Sequence, residues 1–344
     1  MREIKALVTV DGVFAGSVPV FTVGSSWWAD VEPVTAHLDH VLGVRTSVLR
    51  LVSTTGEGAR DGLVTYQVEA HGTPDPGALS PEGAQDFPDT PLRLPWARPG
   101  GTTELLVWAD NHVRRIGSPV QVKTWNLSCL YRIPTDAGTV WLKAIPPFTA
   151  DEAVAIRMVA RHDPDLVPEV LASAPGRLLL ADVPGMDCWT PTERQIAEVV
   201  PRMVAVQAAL AGPPELRVRP PKVEPAGGLP DTLLHGDFHP GNWRSTGVVL
   251  DWADAHWGHP ALDAVRLCEF TEPELHPLIE DVWMRAWLEH LPASDPATAL
   301  RLARPISHLV NAVKYQEFLD NIEDSERCYH EGDPEAEFAL FSAG

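Results

Sequence analysis

Residues 233–254 read L-L-H-G-D-F-H-P-G-N-W-R-S-T-G-V-V-L-D-W-A-D, and the order of polar groups in them leaves few folds open. His235, Asp237 and Asn242 form H-x-D-x-x-x-x-N, and the apolar run Val248-Val249-Leu250 that follows ends on Asp251. Between them, Ser245-Thr246-Gly247 is suited to reversing the chain between two short strands. Such a reversal sets Asn242 opposite Asp251, with their oxygens converging on one hard cation such as Mg²⁺. An Asp for the attacking hydroxyl, an Asn five residues on and a second Asp after a hairpin are the parts a phosphoryl-transfer site needs.

H-G-D-F-H-P-G-N, then V-V-L-D-W-A-D, then Gly258-His259-Pro260-Ala261-Leu262-Asp263 together resemble the aminoglycoside phosphotransferase and choline kinase family of small-molecule kinases. The resemblance runs from about residue 124 to the C-terminus and leaves roughly the first hundred residues unexplained. It implies an α+β, bilobal, protein-kinase-like fold, with a small antiparallel β lobe and a mainly helical C-terminal lobe, and with ATP and Mg²⁺ as cofactors. Under it, Asp237 is the catalytic group, His235 braces its loop, and Asn242 and Asp251 carry the metal. Asp254 reaches a second metal or caps the next turn, and Asp263 secures the catalytic segment.

A chain of 344 residues is long enough for two or three folding units. Hydrophobic residues make up 44%, yet no run approaches the roughly 18 apolar residues that a membrane span requires. The opening M-R-E-I-K-A-L-V-T-V-D-G is interrupted by Asp11 and reads as a first strand, not a signal peptide. Cys129, Cys188, Cys268 and Cys328 lie far apart without C-x-x-C pairing, which fits a reducing cytoplasm. A net charge of −20 speaks against nucleic acid and would attract a cationic small molecule, or only keep the protein soluble.

In chain order, the first module (1–72) reads as small and α+β. It has strands at residues 4–10, 18–23, 46–52 and 63–69, and a helix over Val31, Val34, Leu38 and Val41 stopped by Gly43. It shows no Gly-rich phosphate loop and reads as structural or substrate-screening. Seven prolines between 73 and 101 exclude regular structure and mark a linker, whose end, Leu92-Arg93-Leu94-Pro95-Trp96, is apolar enough to dock. The small lobe and hinge (102–185) follow, with strands at 120–124, 127–133 and 139–144 and the turn Asp136-Ala137-Gly138. The rest (186–344) is the helical lobe.

Lys143 in W-L-K-A occupies the place of the strand lysine that meets nucleotide phosphates. Thr149 and Glu152 have capping-box spacing, so Glu152 either caps its own helix or, as the resemblance implies, pairs with Lys143. The loop at Trp125-Asn126-Leu127-Ser128 lacks the glycines of protein kinases, and the resemblance, to a family whose loop here often carries a polar residue instead, implies Asn126 and Ser128 as candidates for phosphate contact. The run R-L-L-L-A-D-V at 177–183, followed by Pro184-Gly185, resembles the hinge where such kinases hold adenine through backbone groups, which would put Asp182 and Val183 there; an ordinary core strand and turn reads the same. A further helix is signalled by Thr190-Pro191-Thr192-Glu193, with Pro201 inside it and Gly212 at its end. Another Pro/Gly-rich connection spans 212–230.

The acceptor would be a small molecule bearing a hydroxyl: an amino sugar, an aminoglycoside or a related alcohol. Asp320 and Glu323 head an acidic cluster with little basic compensation in sequence, which would favour an amine-bearing acceptor. Charge runs are more often solvated helix ends. Two other readings compete. His235, Asp237 and His239 form H-x-D-x-H, which could hold a transition metal in a hydrolase, with His256 and His259 nearby. A catalytically silent kinase-like binding module would instead expect Asp237, Asn242, Asp251 or Lys143 to be replaced, and all four are present.

Overall fold

The computed structural model describes residues 1–81, 86–219, 221 and 227–343. Parts of both predicted connections, 82–85 and 220 with 222–226, lie outside the described residues. The chain divides into two compact units. Met1–Pro146, Leu171–Leu180 and Phe318–Glu331 form the first, and Pro147–Val170, Ala181–Glu317 and Gly332–Gly344 the second.

The first unit opens with β1 (Arg2–Val10) and β2 (Val13–Val23), joined by Asp11 and Gly12 with φ of 49° and 78°. Two left-handed residues in a two-residue loop match the right-handed twist of a hairpin, which is why Asp-Gly serves there. Helix α1 (Glu32–Leu42) ends as predicted on Gly43, left-handed at φ 69°, with its N–H on Asp39 O. β3 (Thr46–Thr54) and β4 (Leu63–Ala70) complete a sheet of order β2-β1-β4-β3, in which only the β1–β4 pair is parallel. Val34, Leu38 and Leu42 of α1 share one buried cluster with Ile4, Ala6, Val8, Val48, Val64 and Val68 of the strands.

The proline-rich segment forms short 3-10 turns at Pro76–Ala78 and Pro95–Ala97. Its end docks as expected: Leu94 and Trp96 are buried with Cys129, Tyr131, Ile133 and Leu142. Helix α2 (Gly101–Asp110) arises where the sequence pattern predicts no element. Leu105 and Ala109 are its buried apolar residues, too few to announce it. β5 (Val120–Trp125), β6 (Ser128–Thr135), β7 (Gly138–Ala144), β8 (Val170–Ala174) and β9 (Arg177–Ala181) make a second sheet of order β5-β6-β7-β9-β8.

Helices dominate the second unit. α3 runs Glu152–Ala160, three residues later than Thr149 would start it, because the Asp151 carboxylate accepts from Val154 N–H and is the cap. α4 (Glu193–Ala209) shows the same slip. Its cap is Thr192, closing a capping box with Gln195 where the sequence suggested Thr190 and Glu193. Both errors come from several Ser/Thr/Asp candidates crowding one helix start; the backbone conformation selects among them. The short strands β10 (Thr232–Leu234) and β11 (His256–Gly258) pair antiparallel, and α5 (Ala261–Glu269), α6 (His276–His290), α7 (Pro296–Asn321) and α8 (Asp333–Ala343) follow. No helix among the described residues is long and apolar enough to cross a membrane.

Candidate active site

The β10–β11 pair holds the start of residues 233–254 against the strand that follows their end, and Asp263 in the first turn of α5 secures the backbone just after β10. Asp263 accepts from three donors: His235 N at 2.9 Å, Gly236 N at 3.0 Å and the Gln207 Nε2 amide at 3.0 Å. Burial pushes its carboxyl up to about 7, against the pull of those N–H groups. Gly236 sits at φ 80°, and a Cβ there would collide with the carbonyl oxygen of Asp254. Glycine is therefore required twice over, for its backbone angle and for the close approach.

His235 is fully buried and braces the loop from both ring nitrogens. Its Nδ1 accepts from the Asp237 backbone N–H at 3.2 Å, which leaves the proton on Nε2 to donate to Leu250 O at 2.8 Å. Burial lowers its pKa, so the ring is neutral.

Asp237 is surrounded by donors. Arg266 gives two hydrogen bonds to Oδ1, at 2.9 and 2.8 Å, Lys314 Nζ lies 3.7 Å from the same oxygen, and His239 Nε2 lies 3.3 Å from Oδ2. Burial opposes the charge, but Lys314 and Arg266, with His239, overcome it and hold the carboxyl well below its ordinary range. Neither cation is expected from the motif that carries Asp237. Arg266 was findable, since it lies three residues after Asp263 on one helix and so shares its face. Lys314, far along the chain on α7, carried no signal.

The chain reverses at Ser245-Thr246-Gly247 as expected, through Gly247 N to Arg244 O and Arg244 N to Val248 O, both 2.8 Å. The two flanking strands reduce to a single bridge between Trp243 and Val249, because 3-10 turns at Pro240–Asn242 and Trp252–Asp254 use up the extended length. Leu250 N donates to Asn242 O at 2.7 Å, and the Asn242 amide donates to Asp237 O at 3.0 Å. Asp251 is next, left-handed at φ 63°, and Glu152 Oε1 accepts from Trp252 N at 3.2 Å. A non-glycine residue in that region is strained, and such strain clusters at functional sites. Asp254 faces Arg219, at 3.4 and 3.5 Å.

The Leu250 N bond to Asn242 O sets Asn242 opposite Leu250, one residue short of the Asp251 expected there. An amide and a carboxylate are oxygen donors of the kind Mg²⁺ takes, and one or two suffice when phosphates complete its shell. The histidine alternative finds no support, since the rings serve the loop itself. His239 Nδ1 accepts from Gly241 N, His256 Nδ1 meets Asp254 O and His259 Nδ1 accepts from Ala261 N. Among the described residues no group of three His, Cys, Asp or Glu is placed to hold a metal.

Other predicted residues fall elsewhere. Lys143 lies on β7 opposite Leu130, in the first unit, and Asp182 and Val183 follow directly on β9. Asn126 is fully buried, with Nδ2 3.4 Å from Glu326 O and Oδ1 3.4 Å from His330 Nε2, while Ser128 Oγ accepts from Trp125 Nε1 at 3.0 Å. Asp320 is exposed near the end of α7. Glu323 corrects the expectation of little basic compensation. It is buried, and its Oε2 accepts from Arg50 at 2.9 Å and from Arg93 at 3.2 Å, cations that only tertiary structure brings there.

The family described as the phosphotransferase enzyme family has a model that matches residues 215–300. No curated protein matches the chain. Choline kinase from Cryptosporidium parvum Iowa II is similar with a TM-score of 0.50 and 11% identity, over 70% of this chain and 94% of that one. A choline/ethanolamine kinase family protein from Mesorhizobium loti gives 0.45 at 16% identity over 69% and 94%. A macrolide 2'-phosphotransferase from Brachybacterium faecium gives 0.44 at 17% over 70% and 98%. The chain thus has a protein-kinase-like α+β fold. Its resemblance to the aminoglycoside phosphotransferase and choline kinase family holds on the segment that carries the motif.

Proposed function

We propose that the protein is an ATP-dependent phosphotransferase that moves the γ-phosphoryl group onto a hydroxyl of a small molecule, an amino sugar, aminoglycoside or related alcohol. The observation that carries the reading is the pair of bonds joining Asp237 O to the Asn242 amide and Asn242 O to Leu250 N. They link the backbone of Asp237 to Asn242 and Asn242 to Leu250, the residue before Asp251, which supports reading the three as one site.

In this reading Asp237 accepts a hydrogen bond from the acceptor hydroxyl and points its oxygen at the γ-phosphorus. A new P–O bond forms as the bond to the β–γ bridging oxygen breaks, ADP departs, and the hydroxyl proton passes late to the carboxylate. With its pKa held low, Asp237 works first by orientation. Asn242 and Asp251 would hold Mg²⁺, which offsets charge on the phosphate oxygens when bound. Lys143, Ser128, Asp182 and Val183 are assigned to the nucleotide, whereas Asn126, fully buried with its amide on Glu326 O and His330, is not; Glu152 fixes the backbone beside Asp251, and Asp320 is the acidic candidate on the acceptor side.

The test is ADP release from ATP and Mg²⁺ against a panel of aminoglycosides, amino sugars, neutral sugars and amino alcohols, with Asp237→Ala as control. Turnover that is lost in the control is the expected result. Absence of any nucleotide binding overturns the assignment.

A further inference from the structure

The first unit holds a cleft of about 480 Å³ that the phosphotransferase reading does not use. Its walls are apolar, from Val52, Pro88, Pro91 and Leu92, and two arginines, Arg50 and Arg93, lie at its floor. The wall segment is anchored just beyond, where Leu94 and Trp96 are buried. An apolar hollow of this size with a few convergent polar groups is the usual make-up of a small-molecule site.

The floor is held in place by its own bonds. Arg50 and Arg93 are 8% and 3% exposed. Arg50 donates from Nε to Gln67 at 2.9 Å and from Nη1 to Glu323 at 2.9 Å, and Arg93 donates from Nη2 to Pro88 O at 2.8 Å and to Glu323 at 3.2 Å. One nitrogen of each is left over. Among the described residues Arg50 Nη2 makes no hydrogen bond, and Arg93 Nη1 has only Asp89 Oδ1 at 3.9 Å, too far for one. Phe87 covers a face of the Arg50 guanidinium from 5.8 Å, which leaves the edge, where a carboxylate binds.

Charge narrows the ligand further. Glu323 balances one of the two arginines, and burial pushes the neighbouring Glu326 carboxyl up to about 8, so the floor keeps one net positive charge at neutral pH. The rim has the opposite sign, from Asp86 and Asp324, both exposed. A plain anion would be drawn by the floor and repelled by the rim, and a plain cation the reverse. A zwitterion suits both, with an apolar side chain for the walls.

We propose that this cleft binds a free α-amino acid with an aliphatic side chain, its carboxylate on Arg50 and Arg93, its ammonium group toward Asp86 and Asp324, and its side chain against Val52, Pro91 and Leu92. The proposal does not rest on the phosphotransferase reading.

Calorimetric titration of the full chain with L-leucine, L-leucinamide, 4-methylpentanoate and glycine tests it, in wild type, Arg50→Lys and Leu92→Gln. Leu92 is 40% exposed, so its exchange spares the fold and decides the matter if Arg50→Lys does not fold. The expected result is a single leucine site, with the amide, the acid lacking an ammonium group and glycine each weaker by roughly tenfold or more. Arg50→Lys should weaken leucine by roughly tenfold or more and Leu92→Gln by about fivefold. A wild type that takes no leucine overturns the site. Leucinamide or 4-methylpentanoate as tight as leucine overturns the amino-acid assignment, because the carboxylate or the ammonium group would then go unread, and glycine as tight overturns the role of the walls. Leucine affinity unchanged in every variant that folds puts the ligand elsewhere and overturns the cleft.

Discussion

Asp237 and Glu323 are the same chemical group in two settings. Each is a carboxylate beside two cations, Arg266 and Lys314 for the one, Arg50 and Arg93 for the other. Glu323 is 7% exposed and takes both guanidinium groups on one oxygen, in a surrounding that also buries Glu326. Asp237 keeps 25% of its side chain open, and its second oxygen lies 3.3 Å from His239 Nε2. The fold thus closes over one paired carboxylate and leaves the other a quarter open, available to a ligand. Charge and partner count alone do not separate the two cases.

Substitutions can break that contrast. The largest effect is expected from Asp237→Asn, which keeps the shape and removes the charge. Turnover should fall roughly 10²–10⁴-fold, the span usual for lost general acid–base groups, and the melting temperature should fall as well, because Arg266 and Lys314, 12% and 3% exposed, lose the carboxylate that balances them. Steady-state kinetics of the folded protein beside thermal melts separates the two effects. Glu323→Ala should act on stability alone, costing about 3–5 kcal/mol by stranding two buried guanidinium groups, with the acceptor KM of the folded protein unchanged. Urea titration measures the first, and a raised KM would restore Glu323 to the acceptor.

Glu326 gives a pH test of the closed setting. Burial, then the nearby Glu323 charge, pushes its carboxyl from 4.5 up to about 8. Between those values the folded state holds a proton that the unfolded chain has lost, so this group makes stability fall as pH rises through the window. Glu326→Gln should melt with wild type at the acid end and above it at the alkaline end. A difference that does not grow with pH would refute the assignment. The smallest change belongs to a third, exposed carboxylate. Asp151 only caps α3, from 3.2 Å on Val154 N, and Asp151→Ala should cost about 0.5–2 kcal/mol by denaturant unfolding.

The first sheet, the Gly43 stop and the docking of Leu94 and Trp96 were all legible because hydrophobic period and glycine position are local signals. Helix caps slipped by two or three residues because side chains one step apart can each satisfy a free N–H. Helix α2 was invisible since its apolar face is narrow and its place comes from the sheet it packs on. In the site, Asp237, Asn242 and Asp251 were readable together because one continuous stretch carries them. Arg266 was half-readable from its helix, and Lys314 was not readable at all.

By itself the sequence determined the chemical vocabulary of the site: the order of its carboxylates and amide, the turn between them and the glycine beneath. Those depend on contacts a few residues apart, which spacing encodes. Only the tertiary structure decided which carboxylates stay open, that Arg50 and Arg93 neutralise Glu323, and that Arg266 and Lys314 claim one oxygen of Asp237. Those partners are tens to hundreds of residues apart, and no local pattern records a pairing that exists only once burial has made leaving it unmade too costly.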